Sequence, residues 1–277
     1  MFKKIFSLVL AMALVFTLAA CGGGSSATGG SSATGGTSAT GGTSATGGTS
    51  NTGSSASGAT GTASTGSSAA ASAKLSDSYQ NYLEVKGSAI ERISDKISEF
   101  DELAFTVGFT LLSIVFVDLA LLPITVVGVE GGAAGLAFLG MKNVNVAQSG
   151  AVYTITWDDS EGNKASMTCE FDSATDSLRS VLSENGKEVL LFEYTKVATG
   201  YASQYYMYND DSDNMLIKGF FNDSDFAGFG FESMSTAPTS IFKNTSLKSD
   251  FITSKEMYFK LEGDKLTIFI DGETKTF

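Results

Sequence analysis

The chain of 277 residues contains no histidine. This absence excludes a Ser-His-Asp triad, a Cys-His pair and the zinc or haem sites that depend on imidazole ligands. With only two cysteines, Cys21 and Cys169, a cysteine zinc site is excluded as well. Enzymes that use Ser-Lys pairs, paired carboxylates or oxygen-ligated metals pass this test, but they are a minority. We therefore expect a protein that is not an enzyme and that carries no cofactor.

Basic residues are scarce too. The 18 lysines and arginines stand against 30 aspartates and glutamates, which gives a formal net charge of −12. Nucleic acid phosphates and anionic lipid headgroups repel a negative domain. The charge therefore predicts no nucleic-acid partner, and contact with a membrane has to come from an acyl anchor or from apolar surface.

The N-terminus has the organisation of an export leader. Lys3 and Lys4 precede an uncharged apolar run over 5–17, and Leu18-Ala19-Ala20-Cys21 follows it. A plain secretory peptide would end in small residues with no special demand for cysteine. The pattern over residues 1–21 resembles the lipobox of bacterial lipoproteins.

That resemblance implies that a diacylglycerol is attached to the sulfur of Cys21 and that residues 1–20 are removed. The mature protein would be a lipoprotein anchored to the cell membrane, with its folded part on the extracytoplasmic side. Loss of the two leader lysines changes the net charge from −12 to −14. Cys169 would then have no partner in the chain, so no intramolecular disulfide could form.

Residues 21–73 are predicted to be a disordered linker that carries the lipidated cysteine. Six-residue units of glycine, alanine, serine and threonine begin at positions 23, 29, 35 and 41, and the same residue types continue to about Ala73. No apolar side chain larger than alanine is available for burial, so the segment should be a coil with a reach of roughly 40 Å. Such a linker either holds the folded part away from the anchor or is a repeat expansion that nothing selects against.

The exported domain is predicted to span 74–277, with helices over 74–142 and an antiparallel sheet over 143–277. A helix should begin near Ser76-Asp77, because both are N-cap residue types. Apolar side chains then recur mostly three or four positions apart, as in an amphipathic helix, and Gly87 is the position at which the helix could be interrupted. They are Tyr79, Leu83, Ile90, Ile93, Ile97, Phe100 and Ala104.

The stretch from Leu103 to Val129 is almost wholly apolar, and Asp118 is its one charged residue. Its length is that of a transmembrane candidate. A charge at mid-bilayer is costly and Pro123 interrupts the helix near its end, so we favour a buried helical hairpin over 103–141. Insertion into the membrane, or exchange between the two states, is the alternative.

After Asn143 the apolar period changes to two residues, which predicts strands. Asn185-Gly186 is the sharpest hairpin signal, and Cys169 should be a buried thiol on a strand. Helices followed by closely spaced strands predict an α+β fold, in which the amphipathic helix and the apolar hairpin pack on a curved antiparallel meander. The expected strands are 153–157, 165–171, 178–183, 188–197, 201–208, 215–221, 226–234, 255–261, 266–270 and 274–277.

Few residues are candidates for chemistry. The acidic turn Asn209–Asn214 resembles a calcium loop, but Asn214 stands where an EF-hand needs glycine and Phe220 where it needs glutamate, so no metal site is expected. The turns at 158–161 and 222–225 are of the same kind, and solvated hairpin tips are the simpler interpretation. No phosphate-binding loop is present, because the glycines of 128–140 do not follow a strand.

Two isolated carboxylates stand in apolar surroundings. Asp118 is the clearer case and Glu193 the fainter, and each is more simply a structural group than a catalytic one. A third candidate is a cluster of aromatic residues that could line a ligand surface, although packing across a sheet explains it more simply. Its members are Tyr201, Tyr205, Tyr206 and Tyr208.

The sequence leaves two functions open. The excess of apolar helix favours non-enzymatic binding or carriage of a hydrophobic small molecule or lipid, in a layout similar to that of periplasmic lipoprotein carriers but without their motifs. The alternative is a structural or protein-interaction module, displayed at the cell surface, that has no ligand cavity. An enzyme that uses carboxylates alone is a distant third. The protein partner is not identifiable from sequence.

Overall fold

Antiparallel strands dominate residues 65–277, which the computed structural model describes except for residues 128, 130, 131 and 210–212. Eleven strands form one sheet, in which each strand pairs with the strands next to it in the chain. They are β1 (Lys142–Ser149), β2 (Val152–Asp158), β3 (Lys164–Asp172), β4 (Ser177–Glu184), β5 (Lys187–Val197), β6 (Gly200–Met207), β7 (Asn214–Phe221), β8 (Phe226–Met234), β9 (Met257–Glu262), β10 (Lys265–Ile270) and β11 (Glu273–Thr276).

The hairpin predicted at Asn185-Gly186 joins β4 to β5. Both residues have positive φ, 51° and 80°, which is the backbone of the tight turns that match the twist of antiparallel strands. The first strand, β1, was not predicted from the sequence. Most of its side chains are exposed, so it lacks the alternation of apolar and polar residues that identifies a strand.

The helices form a layer on one face of the sheet. They are α1 (Thr65–Ser98), α2 (Asp101–Ala120), a 3-10 turn (Leu122–Val126) and α3 (Gly132–Phe138). Helix α1 begins before the predicted start at Ser76-Asp77 and continues through Gly87 without a break. Its buried stripe faces β6 to β9 and consists of Leu75, Tyr79, Tyr82, Lys86, Ala89, Ile93 and Ile97.

The predicted α+β class, with a buried apolar hairpin packed on the sheet, is wrong. The described part of the chain is mostly β, with three α-helices. The segment 103–141 divides into α2, the 3-10 turn and the short α3, so it forms no hairpin of two comparable helices. Helix α2 packs mainly on α1 and leaves Phe109, Val115 and Leu119 exposed. The uniform hydrophobicity of the segment concealed this outer face, because an all-apolar run has no polar side to mark it.

Within the described residues, no helix combines the length and the hydropathy needed to cross a membrane.

The opposite face of the sheet is covered at its centre by the loop over 235–256. Ile241 and Ile252 from this loop pack on Val197, Phe220 and Phe226 of the strands, and all five are buried. Two glycines of β8 make the close approach feasible. A Cβ atom at Gly230 would lie 1.9 Å from the Ile252 carbonyl oxygen, and one at Gly228 would lie 2.4 Å from the Ile252 side chain.

Candidate functional site

The buried stripe of α1 contains one charged residue, Lys86, which is 2% exposed. Its ammonium contacts Oδ2 of Asp118 on α2. The Lys86 Nζ atom also lies 3.1 Å from the Tyr205 hydroxyl, and that hydroxyl donates to Asp118 Oδ1 at 3.2 Å. Lysine, aspartate and tyrosine therefore form a closed triangle in which each group contacts the other two.

Aromatic rings surround this triangle. The Tyr82 hydroxyl lies 2.6 Å from the Tyr205 hydroxyl, and Lys86 Nζ lies 5.2 Å from the centre of the Tyr82 ring. The rings of Tyr82 and Tyr194 stack with centroids 4.6 Å apart, and those of Phe192 and Tyr205 stack at 4.7 Å. The space between α1 and the sheet is thus filled by the protein's own side chains.

Burial decides the protonation behaviour of the triangle. Desolvation lowers the pKa of Lys86 and raises the pKa of Asp118, while the opposite charge of the partner counteracts each shift. Desolvation also raises the pKa of Tyr205, and the nearby Asp118 carboxylate adds to that increase. The tyrosine is therefore a hydroxyl donor at every physiological pH, whereas the lysine and the aspartate are each displaced toward their neutral forms.

Asp118 was a candidate from the sequence, but Lys86 was not. The lysine lies between Tyr82 and Ala89, at the same three- and four-residue spacing as its apolar neighbours. A charged residue on the buried stripe of an amphipathic helix is the signal that could have found it. Its contact with Asp118, 32 positions away, is set by the packing of α1 on α2, and no local sequence pattern predicts it.

Glu193, the second candidate carboxylate, lies on the opposite face and is fully buried. Gln204 Nε2 donates to it at 2.7 Å, the Ser240 hydroxyl at 2.7 Å and the Ile241 backbone N–H at 2.8 Å. Arg179 Nε approaches it at 3.5 Å from a more exposed position. Because two of these donors belong to the loop over 235–256, Glu193 fastens that loop to the sheet, which is a structural role.

The four candidate tyrosines do not form one surface. Tyr201 and Tyr205 point toward the helices, whereas Tyr206 packs on Leu191 and Leu216 on the other face. Tyr208 packs edge-on to Tyr206 with ring centroids 4.9 Å apart, and its hydroxyl donates to Glu188 at 3.0 Å. Packing across the sheet, the simpler of the two interpretations, therefore explains the cluster, because the four rings do not share one surface.

The acidic turns bind their own backbone and neighbouring side chains. Asp159 accepts from the N–H groups of Glu161 and Asn163, both at 2.8 Å, and Asp158 pairs with Lys164 at 2.6 Å. Of Asn209–Asn214, residues 210–212 lie outside the described residues. In the rest of the chain that the structure describes, no three or more carboxylate or thiol groups are arranged to hold a metal ion.

The turn at 222–225 has a structural partner on α1. The guanidinium of Arg92 donates to the carbonyl oxygens of Asn222 at 2.6 Å, Ser224 at 2.5 Å and Phe226 at 3.1 Å. This contact connects the long helix to the end of the β7–β8 hairpin. Three carbonyl oxygens at the turn therefore already accept hydrogen bonds from Arg92, and the turn has a structural role.

Of the two cysteines, the structure describes only Cys169. Cys169 is a free thiol on β3, fully buried as predicted, and desolvation raises its pKa to about 12. A thiol with that pKa is neutral and unreactive at physiological pH. Cys21, the predicted lipid anchor, lies outside the described residues, as do the leader over 1–20 and the linker up to residue 64.

The outer face of α2 is the second feature of interest. It consists of Phe109, Leu112, Val115, Phe116 and Leu119, with Phe109 and Leu119 each 46% exposed. The one charged group of α2 after residue 106 is Asp118, and it is turned inward to Lys86. The outer face is therefore an apolar stripe without a charge.

The neighbouring helix has the opposite character. The exposed side of α1 carries four carboxylates and the amine of Lys74. The carboxylates belong to Asp77, Glu84, Glu91 and Asp95. The helical layer thus presents an apolar stripe on one helix and an acidic stripe on the next.

Two open surface cavities have volumes of about 330 and 240 Å³. The larger lies beside Trp157 among Asn143, Thr156, Asp158 and Lys164, and the smaller beside Phe171 among Lys74, Asp77 and Ser78. Both are lined mainly by polar side chains, unlike the apolar pockets that hold hydrophobic ligands.

Comparisons of the chain with protein-family models, with curated proteins and with solved structures find no match.

Proposed function

We propose that the protein is a non-enzymatic lipoprotein of the cell envelope whose exported domain is an interaction module. Lipid on Cys21 holds it at the extracytoplasmic side of the cell membrane, and the linker lets the domain search for its partner. The outer face of α2 binds a basic, amphipathic segment of a partner protein. The observation that carries the proposal is the uncharged apolar stripe from Phe109 to Leu119 on an exposed helix.

The filled interior favours an interaction module over a carrier. A carrier needs an apolar cavity for its ligand, whereas stacked rings such as those of Tyr82 and Tyr194 occupy the space between α1 and the sheet. The two open cavities are too polar to hold a lipid chain. Apolar surface is instead available on the outside of α2, where a second helix or strand can cover it.

Charge decides which partner fits. The exposed acidic residues of α1, among them Glu84, Glu91 and Asp95, lie on the helix next to the apolar stripe. They repel anionic lipid headgroups and attract lysine and arginine side chains, and the net charge, −12 for the full chain and −14 without Lys3 and Lys4, acts in the same direction. A segment with one apolar face and basic flanks matches both stripes at once.

The test is binding of a synthetic amphipathic Leu/Lys helix to the mature chain, made from residue 21 onward with Cys21→Ser so that no detergent is needed. Fluorescence anisotropy should show binding that weakens as salt rises, because the acidic stripe contributes. Phe109→Ser/Leu119→Ser should lower the affinity by at least about tenfold, since it removes the centre of the apolar contact. Met215→Ser is the matched control, because Met215 is 47% exposed and lies on β7, outside the apolar stripe of α2.

Other results would overturn the proposal. Failure of the peptide to bind, or equal losses in the double variant and the Met215→Ser control, would remove α2 as the binding face. Binding to phosphatidylcholine vesicles without peptide binding would assign the face to a bilayer. Concentration-dependent dimers in sedimentation would assign it to a second copy of the chain. A native mass spectrum with bound lipid would restore the carrier hypothesis.

A further inference from the structure

We propose that Lys86 and Asp118 condense into an intramolecular amide, so that the mature domain carries a covalent cross-link between α1 and α2. The inference does not depend on the binding proposed for the outer face of α2. It rests on an amine and a carboxyl group that are held in contact, without bulk water around the amine, beside a hydroxyl that can assist the reaction.

The geometry brings the reacting groups together. Lys86 Nζ touches Oδ2 of Asp118, and the Lys86 side chain is 3% exposed. A side chain on another element fixes the second carboxyl oxygen, since the Tyr205 hydroxyl on β6 donates to Oδ1 at 3.2 Å. The Tyr82 hydroxyl lies 2.6 Å from the Tyr205 hydroxyl, and the hydrogen bond between them holds the Tyr205 hydroxyl in place. Fixed neighbours of this kind react as though each were present at very high concentration, with effective molarities of about 10⁵ M or more.

The surroundings also favour the reactive forms. Amide formation needs a neutral amine and a protonated carboxyl group, and burial lowers the pKa of Lys86 and raises the pKa of Asp118. One proton transfer, from Nζ to the Oδ2 atom that it contacts, converts the ion pair into that neutral pair. The rings of Tyr82 and Tyr205 lie 5.2 and 5.7 Å from the Lys86 Nζ atom and help to keep bulk water away from it, since Lys86 is 2% exposed.

The reaction balances without a further reagent. The lone pair of the Lys86 amine attacks Cγ of Asp118, and the developing charge on Oδ1 is stabilised by the hydrogen bond from Tyr205. The new N–C bond is retained, the Cγ–Oδ2 bond breaks, and Oδ2 leaves as water with its own proton and one proton from the amine. Nothing is oxidised or reduced. The Asp118 side chain is 19% exposed, which gives the water a way out.

Condensation removes an energetic cost of the fold. A buried ion pair keeps two desolvated charges whose attraction often fails to repay their desolvation. An amide occupies nearly the same volume, has no net charge, and retains an oxygen that can accept from Tyr205. The cross-link would also supply a covalent brace to an exported domain whose described cysteine, Cys169, is a free thiol.

The test is the intact mass of the mature Cys21→Ser chain, measured after complete denaturation. The expected mass is about 18 Da below that of the sequence, from the loss of one water. Tryptic digestion should yield a branched peptide that joins the sequences around Lys86 and Asp118, because trypsin does not cleave after an acylated lysine. Lys86→Met and Asp118→Ala should each restore the full mass. Tyr205→Phe should slow cross-linking after refolding by at least about tenfold, since it removes the donor to Oδ1.

The matched control is Lys196→Met. Lys196 pairs with Asp176 at 3.5 Å and is 56% exposed, so its removal should leave the mass loss unchanged. A wild-type chain of full mass would overturn the proposal and establish the pair as ionic. A loss that maps to Asp271-Gly272, where a succinimide also releases water, would overturn it as well. If Lys86→Met fails to fold, the presence or absence of the branched peptide in the wild-type digest decides the question.

Discussion

Asp118 and Glu193 lie in apolar surroundings on opposite faces of the sheet, and the two carboxylates are held by different means. Asp118, on the helix face, contacts the ammonium of Lys86, which is itself buried. Glu193, on the other face, accepts from a side-chain amide, a hydroxyl and a backbone N–H, with Arg179 at its edge. The first arrangement depends on two charges that need each other, whereas the second divides the task among several donors.

This difference determines how much stability is lost when a partner is removed, and whether the carboxylate can react with that partner. Independent donors can be lost one at a time, because each contributes its own hydrogen bond. A buried ion pair fails as a unit, since removal of either member leaves the other charge without a partner in apolar surroundings. The same closeness makes the pair of Lys86 and Asp118 able to react, which the neutral donors around Glu193 are not.

The largest effect should come from breaking the pair of Lys86 and Asp118. Lys86→Met and Asp118→Leu should each lower the free energy of unfolding by about 3–5 kcal/mol or more, because each leaves the other group as an uncompensated charge and also prevents the proposed amide. The double variant should be no less stable than the worse single variant, since it removes both charges together. Urea denaturation of the mature chain measures all three. Costs that simply add would mean that the two side chains do not act as a pair.

Removal of the other carboxylate should cost less. Glu193→Ala should lower the free energy of unfolding by about 1–3 kcal/mol, because Gln204, Ser240 and the Ile241 N–H lose their acceptor. The loop over 235–256 should loosen before the sheet does, and hydrogen exchange at the Ile241 amide reports this directly.

A second substitution, Arg179→Met, tests whether Glu193 depends on a charged partner as Asp118 does. Arg179→Met should not rescue Glu193→Ala, because the guanidinium is 44% exposed and stays hydrated when the carboxylate is removed. Rescue by that change would show that Glu193 depends on a paired charge, as Asp118 does. An unaltered exchange rate at Ile241 would show that Glu193 does not hold the loop.

The sequence was informative where structure is local and periodic. Ten strands could be located from two-residue alternation and turn chemistry, and α1 from its apolar spacing. The layer above the sheet was not predictable in the same way. The apolar run over 103–129 has no polar face, so the exposed outer side of α2 could not be told from its buried side. Contacts that decide the site, such as Lys86 with Asp118, join distant positions and carry no periodic signal.

The loop over 235–256 shows the same limit on the other face. Glu193 was recognised as a carboxylate in an apolar strand, but its donors Ser240 and Ile241 lie in an irregular segment. The glycines that admit the loop, Gly228 and Gly230, are visible in the sequence as glycines inside a strand. They mark a close approach without indicating which segment approaches.

A half-buried carboxylate near the surface, Asp172, should give the smallest effect. Asp172, the last residue of β3, accepts from the Thr175 N–H at 2.9 Å and pairs with Lys243 of the loop over 235–256 at 3.1 Å. The backbone hydrogen bond from Thr175 and the ammonium of Lys243 lower its pKa from 3.8 to about 2. Because the folded pKa is below the ordinary value, the stabilisation is complete above about pH 4 and is lost as the pH falls toward 2.

Asp172→Asn should therefore reduce stability at pH 7 by less than about 1 kcal/mol, since its partner Lys243 is 45% exposed and solvent screens the ion pair. The difference from wild type should shrink between pH 4 and pH 2 and vanish below, because the wild-type carboxyl group is then protonated. Thermal denaturation at a series of pH values measures the difference. If wild type and Asp172→Asn still differ in stability at the lowest pH, Asp172 acts through the shape of the turn and not through its charge. It would then differ in kind from Asp118 and Glu193.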